Sequence, residues 1–211
     1  MSFCEEVAIS FPKEIRLLTL LDNPISSFLN IYHDGLKEKT IVILLTKSSN
    51  SEAILKLSKK YNGKKTLEQF YRDVRVKGKT VIELTWNHTT LHAIKADKNF
   101  TYLQTSYGNL NEYRERINTI KERLGMEYVV HLEYVMNNNE VVVGGLPLVY
   151  FESEKRLYEI INFHKELDVL IADPHVYTIN QIGNTNYNKI IEFKNKYDSH
   201  GLMNSKKLNT V

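Results

Sequence analysis

The chain has 211 residues, 42% of them apolar and 25% charged, with 28 Lys and Arg against 25 Asp and Glu. That profile belongs to a soluble globular protein able to bury one good core or two small subdomains. The net charge of +3 is small and scattered, which argues against nucleic-acid binding, and a single cysteine, Cys4, excludes an internal disulfide framework and a Cys-based zinc site.

No cationic segment with an apolar core opens the chain, and no apolar run approaches about 18 residues. The expectation is therefore a cytoplasmic protein without signal peptide or membrane span. In chain order, Glu6–Phe11 reads as a strand and Ile15–Leu21 as a second apolar run. Asp22-Asn23-Pro24 makes a turn. Ile25, Phe28, Leu29 and Tyr32 suit a short amphipathic helix, and Thr40–Thr46 reads as a buried strand. Ser48 to Ser51 caps a helix with Ala53, Ile54, Leu57 and Tyr61 on one face, ended by Asn62-Gly63. Leu67, Phe70 and Tyr71 suggest a further helical turn, and 72–79 is a basic connector.

Thr80–Leu84 reads as a strand leading into Thr85-Trp86-Asn87-His88-Thr89-Thr90-Leu91-His92, with a short helix over Leu91–Ala96. This stretch holds the only Trp and two of the seven His. A strand end that delivers so many polar groups suits a functional site. Phe100–Ser106 reads as a strand, Leu110 to Leu124 as a helix stopped by Gly125, and Glu127–Met136 and Glu140–Tyr150 as strands joined at Asn137-Asn138-Asn139. Ser153 caps a helix facing inward through Leu157, Ile160 and Ile161, and Val169–Ile171 is a last short strand. From 100 to 172 the order is β-α-β-β-α-β, so the fold class is α+β with a ferredoxin-like antiparallel sheet carrying helices on one face. A helix over Tyr187–Tyr197, a turn at Asp198–Gly201 and an irregular strap complete the chain.

His131 and Glu133 share a face by period two. That face is either half-buried and able to orient a substrate, or an ordinary solvent face. His175 follows Pro174 and suits a proton acceptor because an imidazole titrates near neutrality; a structural His after a turn is the alternative. Asn87, His88 and Tyr177 are further polar candidates. His88 and His92 stand four apart, yet the Glu of a zinc-protease helix is missing, so no metal is expected. Gly144-Gly145 sits inside a strand and reads as close backbone packing, and no glycine-rich phosphate loop occurs.

Taken in order, Thr85–Leu91, Thr101–Gln104, His131–Glu133, Gly145–Val149, Asp173–Tyr177, Phe193-Lys194 and Asp198–Asn204 resemble the C-terminal half of bacterial FAD-linked oxidases of the vanillyl-alcohol oxidase fold. The resemblance implies a cap (substrate) domain over 1–172, lacking its first strand and helix, and a strap over 173–211 that returns to a flavin domain. It implies FAD held by a separate FAD-binding chain, and a hydroxyl-bearing small-molecule substrate. It implies His175 and His131 as catalytic residues, with Asn87, His88, Glu133 and Tyr177 at the substrate. Asn204 and Lys207 match the family's cofactor-contacting strap, whereas Ser205 and Lys206 stand where Pro and Gly are usual. A catalytically inactive remnant or a non-catalytic ferredoxin-like binding module is the alternative. A cap without its flavin domain is also expected to self-associate through an apolar face carrying Phe3, Phe11, Tyr177 and Phe193.

Overall fold

A computed structural model describes residues 1–29, 36, 38–73, 80–172, 186–203, 205, 207 and 208. The chain divides into two compact units, Met1–Ile171 and Ala172–Val211. Elements run in the order α1 (Ser2–Ser10), β1 (Ile15–Leu21), α2 (Ile25–Phe28), β2 (Ile41–Thr46), α3 (Ser51–Lys60), a 3₁₀ segment (Val81–Leu84) and α4 (Asn87–Ala96). There follow β3 (Phe100–Tyr102), β4 (Gln104–Asn109), α5 (Tyr113–Leu124), β5 (Tyr128–Val129), β6 (His131–Asn137) and β7 (Glu140–Gly145). Then come β8 (Leu148–Tyr150), α6 (Glu154–Glu166) and β9 (Leu170–Ala172), and α7 (Tyr187–Tyr197) lies in the second unit. The protein is α+β. Its main sheet has the order β2-β1-β6-β7-β4-β9, a smaller one has the order β3-β8-β5, and every described pairing is antiparallel. Among the described residues no helix is long and apolar enough to cross a membrane.

The two sheets are made from the same stretches of chain. Each long strand expected from the apolar runs is broken once: at Leu103 between β3 and β4, at Val130 between β5 and β6, and at Leu146-Pro147 between β7 and β8. Pro147 has no N–H to give a ladder. Its carbonyl accepts from the Leu103 amide at 3.2 Å, and the Leu146 amide donates to the His131 carbonyl at 3.2 Å. The breaks therefore lie side by side, and the strands turn together from one sheet into the other. The hairpin between β6 and β7 closes with Asn138 and Asn139 at φ 47° and 65°, the left-handed pair of a two-residue turn.

Alternation along the strands separates two cores. Leu18, Leu20, Leu132, Tyr134 and Val143 meet α1, α5 and α6, whose inward faces are Cys4, Val7 and Ala8, then Tyr113, Ile117 and Ile120, then Leu157, Ile160 and Ile161. The opposite face of β1 and β2 offers Leu21 and Ile43 to Ile25, Leu84 and Ala93, with Val129 and Leu148 of the small sheet. Helices thus cover both faces of the main sheet, where one covered face was expected; the second cover is the 81–96 segment together with α2.

Several local readings change. Glu6–Ser10 belongs to α1 and Phe11 caps it, because Cys4, Val7 and Ala8 recur at helical spacing and all three are buried. Thr80–Leu84 is 3₁₀, with the Thr80 hydroxyl accepting from the Ile82 amide and the Thr85 amide donating to the Ile82 carbonyl. Thr40–Thr46 gives an edge strand in which only Ile43 is buried, since β1 is its one neighbour in the sheet. Phe3 and Phe11 pack against the main core and do not form an exposed apolar face, whereas Phe193 is exposed. Tyr32 and the connector residues 74–79 lie outside the described residues.

Candidate functional site

Glu133 is the centre of a polar cluster on the sheet face that meets α4. Thr19 stands opposite Glu133 in the β1–β6 register, and Leu21 stands opposite His131. The Thr19 hydroxyl donates to Glu133 Oε2. His131 Nε2 lies 2.8 Å from Glu133 Oε1, and the Trp86 amide donates to the same oxygen at 2.9 Å. With its proton on Nε2, His131 donates to the carboxyl group and leaves Nδ1 as a buried acceptor without a partner among the described residues. His131 is 0% exposed and Glu133 2%. This face is therefore neither half-buried nor a solvent face; it is closed.

Trp86 reaches Glu133 by an unusual backbone, φ 53° and ψ −141°, just before α4. A bulky residue rarely holds a positive φ, which costs on the order of 1–3 kcal/mol and needs compensating contacts. The amide bond to Glu133 is one; others fix the flanks. Thr85 Oγ1 donates to the Ile82 carbonyl at 2.7 Å, and Thr89 Oγ1 donates to the Leu84 carbonyl. Asn87 and His88 open α4 on its exposed side, and His92, one turn on, is partly exposed. They follow a 3₁₀ turn and not a strand, so they do not share a strand end with His131. Among the described residues no group of three or more His, Cys, Asp or Glu is arranged to hold a metal ion. His175, Tyr177 and Asn204 lie outside the described residues, and Lys207 lies in a turn of the second unit.

Thr19 and the Trp86 amide escape a reading based on reactive side chains. The visible signal for the first is a lone hydroxyl inside the apolar run Leu17-Leu18-Thr19-Leu20-Leu21.

The described helix starts at Asn50, Trp86, Glu112 and Ser153 carry no glycine turn of the kind that cradles the pyrophosphate of FAD. The space left by Gly145 is filled by protein: a Cβ there would meet the His131 carbonyl oxygen at 2.6 Å and Tyr107 Cε2 at 2.8 Å.

A second buried polar chain crosses the main core. His164 Nδ1 donates to the Ile160 carbonyl at 2.7 Å, which leaves Nε2 to accept from the Tyr128 hydroxyl at 3.1 Å; Tyr128 in turn is bonded to Tyr107. Burial pushes the Tyr107 phenol up to about 12 and holds His164 below its usual 6.5. The unfolded chain therefore binds a proton at His164 before the native one does. Stability from this group is complete above pH 6.5 and is lost as pH falls toward the lower native value. Unfolding free energy measured in urea is expected to fall between pH 7 and pH 5, by at most about 1.4 kcal/mol per pH unit from this residue. His164→Gln is expected to flatten that segment; an unchanged slope would assign it to other groups.

No family model matches the chain, and no curated protein matches it either.

Proposed function

We propose that the chain is the substrate-side (cap) domain of a flavin-dependent oxidoreductase that acts on a hydroxyl-bearing small molecule, with FAD carried by a separate FAD-binding chain. The observation that carries this reading is the meeting of two stretches 47 residues apart: the Trp86 amide of Thr85–Leu91 donates to Glu133 of His131–Glu133. Both stretches carry the resemblance to FAD-linked oxidases. The order β6-β7-β4-β9, with α5 and α6 on one side, supports a ferredoxin-like unit, which β1 and β2 extend. In this reading His131 and Glu133 pin the turn that opens α4, and Asn87 and His88 on its exposed side supply polar contacts to the substrate. Asn204 and Lys207 belong to the strap that meets the cofactor's domain.

The test is reconstitution. The purified chain is mixed with isolated FAD-binding domains of the vanillyl-alcohol oxidase fold and supplied with 2-hydroxy acids and a dye acceptor. Dye reduction that requires both chains is the expected result. Absence of both turnover and a complex on size exclusion, across the pairs tried, would remove this reading.

A second reading is favoured by the closure of the cluster. Every donor aimed at Glu133 is already paired with it, and His131 is wholly buried. That is what a structural pin does. The protein would then be a non-catalytic binding module or an inactive relative. Self-association, which the exposed Phe193 and Tyr197 of α7 would serve, separates from partner binding in the same size-exclusion runs.

A further inference from the structure

On the other side of β1 from Glu133 lies a hollow of about 1020 Å³. Leu20 of β1 and Val42 and Leu44 of β2 form its floor, and Ile54 and Leu55 of α3 form one wall. Leu20 alternates with Thr19, so the thickness of the sheet separates this space from the Glu133 cluster. The outer wall is the stretch 62–70, exposed along its length. It is tied to α3 at its start, where the Asn62 and Gly63 amides donate to the Lys59 and Ser58 carbonyls, and again where Ser51 Oγ donates to Glu68 Oε1 at 2.5 Å, with Lys65 Nζ on Glu68 Oε2 at 2.7 Å. Farther along, the Val81 amide donates to Gln69 Oε1 at 3.1 Å. On either side of the Glu68 and Gln69 ties, Leu67 and Phe70 each remain 43% exposed.

The hollow also has a sign. Its lining carries Lys47, Lys64, Lys65 and Arg72; Lys65 and Ser51 engage Glu68, and Arg72 pairs with Asp73 at 3.7 Å, which leaves Lys47 and Lys64 to set the sign of the rim. Arg72 lies over the Phe70 ring, 5.6 Å from its centre. Small-molecule sites usually measure roughly 300–1,000 Å³, so the volume suits an extended ligand. An apolar floor with a cationic rim complements a long apolar body that ends in an anion. A space walled on two sides admits a free molecule more readily than the surface of a bilayer.

We propose that this hollow binds a free long-chain carboxylate. The acyl chain lies along Leu20, Val42, Leu44 and Ile54, and the carboxylate meets the lysine rim. The site is separate from the Glu133 cluster, so it stands or falls apart from the flavin reading.

The experiment is displacement of a fluorescent fatty acid from the purified chain by oleate, oleyl alcohol or a dodecyl trimethylammonium salt. Binding to phosphatidylglycerol vesicles is measured alongside. Oleate is expected to displace one equivalent. The paired change Lys47→Glu with Lys64→Glu is expected to weaken oleate about tenfold, equivalent to about 1.4 kcal/mol, and to leave oleyl alcohol unchanged. Leu55→Trp, which fills the hollow from the surface of α3, should abolish both. Circular dichroism checks folding, and should Leu55→Trp unfold, the paired surface change decides. No displacement by oleate, equal oleate affinity in the paired variant, equal affinity for the cationic amphiphile, or binding to vesicles without binding to free oleate would each overturn the proposal.

Discussion

Glu133→Ala is expected to lower the unfolding free energy by about 3–5 kcal/mol, the largest effect of any single change in the cluster. The carboxyl group accepts from the Thr19 hydroxyl and the Trp86 amide and pairs with His131 Nε2, all in a space closed to water. Removing it strands these partners at once. Each buried group left unsatisfied costs about 1–3 kcal/mol. The positive φ of Trp86 would also lose a contact that holds it. Glu133→Gln keeps the volume and one acceptor oxygen and should cost about 1–2 kcal/mol. Urea titration followed by far-ultraviolet dichroism measures both. If the Ala and Gln variants share the wild-type midpoint, Glu133 does not anchor the sheet to α4.

Gly145→Ala is the second large effect, with an expected loss of about 3 kcal/mol, at the upper end for overpacking. A Cβ there would stand 2.6 Å from the His131 carbonyl oxygen, 2.8 Å from Tyr107 Cε2 and 3.0 Å from Thr105 Oγ1. The first of these is backbone inside a paired strand, so it cannot swing away as a side chain would. The neighbouring position is the control: a Cβ on Gly144 meets only the Thr105 carbonyl oxygen, at 3.4 Å, an ordinary contact. Gly144→Ala should therefore shift stability by less than about 1 kcal/mol, with the loss of unfolded-state freedom working in its favour. Equal midpoints for the two variants would show that β6 can move aside.

The contrast between the glycines also shows how far local reading reaches. A glycine pair inside a strand announces close packing, but which member is indispensable depends on which face points at Tyr107. Helices with regular spacing were legible: α5, α6 and α7 follow the recurrence of Ile, Leu and Tyr, and Ser153 accepts from the Arg156 amide as a capping Ser should. Period two put His131 and Glu133 on one face, and they are in contact. Periodicity carries no information on what lies above that face, so the closure by Trp86 and the 3₁₀ turn stayed hidden. Val81-Ile82-Glu83-Leu84 is as apolar as a strand, and its Thr80 cap, a single hydroxyl, fixes the tighter turn. The breaks at Leu103 and Val130 have no local signal, since they follow the partner strand that turns at Pro147.

Those aligned breaks constrain how the gene can change. Each strand of the small sheet is the continuation of a strand of the large one, so no cut in the chain separates the two sheets and neither can be inherited as a module. A one-residue insertion at Leu103 or Val130 keeps the inward and outward alternation on one side of the break and inverts it on the other. The same insertion in the hairpin at Asn138-Asn139 shifts only a turn at the end of two strands. Length variation across relatives should therefore collect at that hairpin and be absent from the row of breaks, where Pro147 makes the substitution pattern as narrow as the length.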